Sequence, residues 1–160
     1  MSLDRNPMTR EGYEKLMADL DRMQNTEMIE VTQRIATARD LGDLSENAEY
    51  HAAREDQGML QARIDSLKDK LSRAAIMEKS TEPSDVVVFG SRVKVLDLDF
   101  DEEETFVLVG EGEADPDKNR ILVSSPLGTG LLGKKVGELA EIDVPKGKLR
   151  FKVLDISLGD

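Results

Sequence analysis

The sequence predicts an α+β protein: an N-terminal antiparallel α-helical coiled-coil hairpin followed by a small antiparallel sheet with one short helix. Three observations predict it. Apolar residues recur at helical spacing from about Thr9 to Asp40 and again from about Glu46 to Ile76. Gly42 is the only glycine between Gly12 and Gly58, so the backbone is expected to reverse there. Beyond Ser80-Thr81-Glu82-Pro83-Ser84 the pattern changes to short β-branched runs punctuated by Gly and Pro. Two domains follow, residues 1–80 with a tip near 40–50, and residues 81–160.

Thr9 is placed to cap the first helix, with Glu11 in its first turn. The apolar stripe runs Leu16, Leu20, Met23, slips in phase, and resumes as Met28, Val31, Ile35 and Ala38. The second helix shows Tyr50, Ala53, Leu60, Ile64, Leu67, Leu71 and Ala74, spaced by threes and fours if Gln57 fills the one polar position of the seam. Two such helices of about 30 residues make a rod on the order of 45 Å long. Small Ala38 and Ala53 should keep its end narrow. In the second half, strands are expected near Val86–Phe89, Arg92–Leu98, Thr105–Gly110, Arg120–Ser124, Ala140–Val144 and Leu149–Ile156. A short helix is expected from Ser125 through Lys134, with Pro126 in its first turn.

Composition excludes several classes. The absence of cysteine leaves no disulfide framework and no thiolate metal site. No apolar run approaches the 18 or so residues of a membrane span. The N-terminus has neither a basic region nor an apolar core for export, so a cytoplasmic location is expected and no membrane partner. Net charge is −11, with −4 over residues 1–80 and −7 over residues 81–160. Strong binding to nucleic acid by the chain alone is not expected, because such binding neutralises phosphates with Lys and Arg.

The tip carries Asp43 and Glu46, and two readings of them stand side by side. Asp followed three residues later by Glu resembles a capping box that starts the second helix. The pair also offers hard oxygen donors suited to Mg²⁺, which takes one or two carboxylates and fills its other positions with water or phosphate oxygens. Two carboxylates close no shell, so a working metal would need a partner to supply the rest. The readings are compatible, since a cap also fixes a side chain.

The stretch Ala38-Arg39-Asp40-Leu41-Gly42-Asp43-Leu44-Ser45-Glu46-Asn47-Ala48-Glu49-Tyr50-His51-Ala52-Ala53-Arg54-Glu55 resembles the tip of the bacterial GreA/GreB family of transcript cleavage factors. Phe89-Gly90-Ser91-Arg92-Val93 and Ser125-Pro126-Leu127-Gly128-Thr129-Gly130-Leu131-Leu132-Gly133-Lys134 resemble that family's C-terminal signatures. The resemblance implies a transcription elongation factor whose FKBP-like C-terminal domain binds RNA polymerase at the rim of its secondary channel. The coiled coil would enter the channel, where Asp43 and Glu46 help hold a second Mg²⁺ and its water beside the 3′ end of backtracked RNA. The factor would then activate the polymerase's own cleavage, with no enzyme activity and no cofactor of its own, the Mg²⁺ being shared. The acidic balance favours the GreA type over the more basic GreB type.

Other residues carry weaker signals. Arg39 and Arg54 suit contact with RNA phosphate or the channel wall, and suit helix-surface ion pairing equally. Tyr50 is read as packing against the turn, with RNA contact as the alternative. Ser45 stands where the family pattern can carry a basic residue. His51 reads as a helix-surface residue. By resemblance, docking falls to the sheet face and to Ser125, Pro126, Leu127 and Gly128. The acidic run Asp97, Asp99, Asp101–Glu104 lacks the glycine and the final acid of an EF-hand loop and reads as a solvated turn. Two rival functions stand beside this one: a channel-binding inhibitor, which the resemblance would give extra tip acids, and a proline isomerase, which needs an aromatic-lined pocket. Residues 81–160 contain four Phe, no Tyr and no Trp.

Overall fold

The first helical stripe slips in phase between Met23 and Met28, and a turn of different pitch absorbs the slip. Helix α1 (Arg10–Arg22) runs through a π-helical turn at Met23–Glu27 into α2 (Met28–Arg39). A π turn takes in one extra residue, so Leu20 and Met23 on one side and Met28 and Val31 on the other join a single apolar cluster with Leu60 and Ile64. The same pitch brings residues five apart together. Arg22 Nε donates to Glu27 at 3.0 Å, while Arg22 Nη1 reaches Asp19 at 3.0 Å. Thr9 Oγ1 accepts the Gly12 N–H at 3.1 Å, as expected of a cap, and donates to Glu113.

The structure, a computed structural model, describes residues 5–79 and 81–159; Ser80 of the expected linker lies outside them. The chain divides into two units, one containing Tyr13–Ala74, the other Pro7–Gly12 and the chain from Ala75 onward. In the first, α2 packs on α3 (Ala48–Ser72), a helix about 38 Å long at 1.5 Å per residue. The buried seam is Val31, Ile35 and Ala38 facing Ala53, Leu60, Ile64 and Leu67. Gln57 is half-buried in that row. Arg34 Nη1 bridges to Asp56 at 3.0 Å between the helices, an exposed pair of the kind that contributes about 0–1 kcal/mol. The second helix was expected to extend to Ile76. It stops at Ser72, and Ala74–Ile76 forms a strand (β2) paired with Asn6–Met8 (β1).

The second unit holds a five-stranded sheet: β3 (Ser91–Asp97), β4 (Glu102–Val109), β5 (Arg120–Leu122), β6 (Leu139–Val144) and β7 (Gly147–Leu158), in the order β5-β4-β3-β7-β6. Alternation puts Val93, Val95, Phe106, Leu108, Ala140, Ile142, Phe151 and Val153 on one face, where Val123, Leu131 and Val87 join them. Burial of each Val, Leu, Ile or Phe side chain among them stabilises the fold by about 1.5–3 kcal/mol. Helix α4 (Pro126–Leu131) is shorter than expected but has Pro126 in its first turn.

Two expectations for this half fail. The β4–β5 pair is parallel, so the sheet is mixed and not wholly antiparallel. After β4 the chain reverses once before Asp115, which bridges antiparallel to Arg120, and again through a 3₁₀ turn at Pro116–Lys118 ended by Asn119 at φ 54°. Two reversals restore the original direction. Val86–Phe89 is not a strand, and only Val86 makes a single bridge, to Lys135. The Val87 N–H goes to the Lys134 carbonyl (2.9 Å) and its carbonyl accepts from the Gly133 N–H (2.8 Å), so the loop after α4 takes the bonds a neighbouring strand would have used.

Candidate functional site at the hairpin tip

The last turn of α2 unwinds through Leu41 N–H to Ala38 carbonyl (3.1 Å) and Gly42 N–H to Arg39 carbonyl (3.5 Å). Gly42 then takes φ +136°, a conformation open to glycine and strained for other residues, and this is where the chain turns, as expected. Asp43 follows in extended conformation and caps a 3₁₀ turn at Leu44–Glu46. Its Oδ1 accepts the Ser45 N–H at 2.9 Å and the Ser45 hydroxyl at 2.8 Å. The backbone N–H first and the hydroxyl second hold the Asp43 carboxyl below the usual carboxylate range, because both bonds favour its charged form. Ser45 thus supplies no cation at the tip; its hydroxyl steadies a carboxylate.

The capping-box reading fails in its details. Glu46 does not reach back to cap anything; among the described residues its carboxylate has no hydrogen bond or ion pair, and it is exposed. Helix α3 starts at Ala48 and not at Glu46, and its cap is Asn47, whose Oδ1 accepts the Tyr50 N–H at 3.0 Å. Asn47 Nδ2 also donates to the Ala38 carbonyl at 2.5 Å. Asn is among the strongest N-cap residues, but in the sequence Asp43 and Glu46 at capping-box spacing compete with Asn47 for the role.

Arg54 Nη1 donates to the Tyr50 hydroxyl at 3.0 Å, and its Cζ lies 5.8 Å from the ring centroid. Tyr50 is half-buried, its ring edge-on to exposed His51 at 5.5 Å. Arg39 is exposed beside the turn with no ion pair among the described residues. The tip therefore presents an ionised Asp43, an open Glu46 and two arginines. Among the described residues no three His, Cys, Asp or Glu side chains converge as metal ligands. Asp43 Oδ2 and both Glu46 oxygens accept no hydrogen bond from the described residues, and carboxylate oxygens are the donor type that Mg²⁺ takes.

In the second unit, Ser125 caps α4 by accepting the Gly128 N–H at 3.1 Å and donates its hydroxyl to the Leu122 carbonyl at 2.7 Å. Leu127 packs on the core. Gly128 is buried, and a Cβ there would lie 2.2 Å from the Leu122 carbonyl oxygen. Of these four residues only Pro126 is exposed. The acidic run forms the β3–β4 turn: Asp97 Oδ1 accepts the Asp99 and Phe100 N–H groups, and Asp99 pairs with Arg150. Phe106 and Phe151 stack edge-to-face inside the core, and the cavity touching Phe89 measures about 10 Å³, too small for a prolyl ring. Among the described residues no helix is long and apolar enough to cross a membrane.

Comparison with known proteins gives the family of this chain. Residues 6–76 match the family model described as transcription elongation factor, N-terminal, and residues 82–158 match transcription elongation factor, GreA/GreB, C-term. The chain belongs to the GreA/GreB family of transcription elongation factors. It is 47% identical over 154 residues to transcription elongation factor GreA of Thermodesulfovibrio yellowstonii, covering 96% of this chain and 98% of the relative. It is 43% identical over 157 residues to transcription elongation factor GreA of Francisella philomiragia, covering 98% of each. Among solved structures, GreA factor homolog 1 of Thermus thermophilus shares 34% identity over 95% of this chain and 98% of its own, with a TM-score of 0.45.

Proposed function

We propose that this chain enters the secondary channel of bacterial RNA polymerase tip first and stimulates the polymerase's intrinsic cleavage of backtracked RNA, rescuing arrested complexes. The observation that carries this reading is the exposed pair Asp43 and Glu46 at the turn of a seam-packed hairpin, in a chain of this family. Asp43, ionised and held through Oδ1 by Ser45, would present Oδ2 to a metal whose other ligands come from the polymerase. Glu46, without a partner of its own among the described residues, would orient the attacking water. Mg²⁺ held there would complete, with a metal held by the polymerase, a two-metal site of the kind that stabilises the attacking and leaving oxygens of an in-line displacement. The hairpin fixes the turn that carries both carboxylates, so less entropy is lost in bringing them to the reacting phosphate.

In this reading the chain is an activator and not an enzyme, holds no metal of its own, and acts in the cytoplasm. Residues 1–80 form the channel-entering module, and residues 81–160 an FKBP-like docking module at the channel rim. Exposed Pro126 is the member of the Ser125–Gly128 quartet best placed for docking. Arg39, and Arg54 with Tyr50, would meet the RNA 3′ segment or the channel wall. The test is RNA cleavage by a stalled, backtracked polymerase in Mg²⁺, with and without the protein. Faster release of a short 3′ fragment and renewed elongation are expected. A rate equal to that of the polymerase alone refutes the reading.

A further inference from the structure

We infer that Asn47 is the positioning residue of the tip, an amide clasp that holds the loop bearing Asp43 and Glu46 in one arrangement; the inference rests on the cleavage function proposed above. Asn47 is half-buried, while Asp40, Leu41, Gly42, Asp43, Ser45 and Glu46 before it are all exposed. Its side chain bonds to both helices of the hairpin. Nδ2 donates to the carbonyl of Ala38, a seam residue 3% exposed, and Oδ1 accepts the Tyr50 N–H in the first turn of α3. Its backbone carbonyl accepts the His51 N–H at 3.1 Å. The residues between Ala38 and Asn47 form a closed loop whose two ends meet in one side chain.

The chemistry of the position is narrow. An aspartate can accept from Tyr50 N–H but cannot donate to a carbonyl, and it sets a negative charge against the Ala38 oxygen. A serine can cap but is too short to bridge. Only a neutral amide of this length both donates and accepts here. Without the Ala38 bond, α3 keeps its cap, but the loop loses its tie to α2 and the two carboxylates spread over more positions.

Asn47→Asp therefore separates capping from clasping, with Asn47→Ala losing both. In full-length protein added to backtracked complexes, Asn47→Asp should leave the half-saturating protein concentration within about twofold of wild type. The maximal cleavage rate at saturation should fall roughly ten- to a hundredfold, the scale set by a misplacement of about 1 Å. The Mg²⁺ concentration for half-maximal cleavage should rise. Independently of cleavage, spin labels at Leu41 and Ala62 in the free protein should show a broader distance distribution in Asn47→Asp than in wild type. Wild-type maximal rate and Mg²⁺ dependence in a folded Asn47→Asp protein, or an unbroadened distribution, overturns the clasp. A wild-type protein that fails to stimulate cleavage refutes the functional reading instead, and the label distances still decide the clasp.

Discussion

Asp43 is the residue whose state the tip controls most closely. Ser45 lowers its pKa through a backbone N–H and a hydroxyl. A carboxyl whose folded pKa lies below its unfolded value contributes stability that is present above the unfolded value and lost as pH falls through the folded one. Ser45→Ala removes the hydroxyl and leaves the N–H, the larger cause. An NMR titration should therefore place the Asp43 midpoint below that of the unfolded chain in wild type, and part-way back towards it in Ser45→Ala. Identical midpoints in the two proteins would show that the hydroxyl bond is not formed in solution. At this scale the sequence was only half legible. Asp43 and Glu46 could be read as tip acids because two helical stripes end on either side of them. Asn47 could not be read as the clasp, because its bond to Ala38 joins residues nine apart and depends on how the hairpin closes.

At the scale of elements, the hairpin obeys its apolar stripe. Met23 and Met28 are five apart, and the π turn is the backbone's answer to that spacing. Deleting Asn25 reduces the step to four and lets an ordinary α-helix carry the same stripe, so the protein should stay folded with its thermal midpoint little changed. Deleting Thr32 turns Ile35 and Ala38 by about 100° away from α3 and should abolish cooperative melting of the hairpin. Equal tolerance of both deletions, by circular dichroism, would mean the seam does not set the register. Near the tip, Ala53 is 1% exposed, and Ala53→Trp should cost about 1–3 kcal/mol by overpacking. Label distances across the hairpin should widen, and cleavage should fall while docking persists.

Alternation explains which elements of the sheet were legible. β3 and β7 alternate buried and open residues and were located closely. Val86–Phe89 has the residue types of a strand, but its hydrogen bonds were taken by a loop that no local pattern announces. β5 is three residues long, and its direction follows from two reversals beyond the reach of periodicity.

For the whole molecule, the proposed function divides labour between a tip that would supply carboxylates and a C-terminal unit that would dock. The direct test is Asp43→Asn at saturating concentration on backtracked complexes, with polymerase binding measured by competition against labelled wild-type protein. The substitution keeps an oxygen that can accept from Ser45 and removes the charge, so the turn should survive. Binding equal to wild type with stimulated cleavage lost is the expected result. Loss of binding together with cleavage, in a folded variant, would make the tip an anchor, and full cleavage by the variant would remove Asp43 from the chemistry.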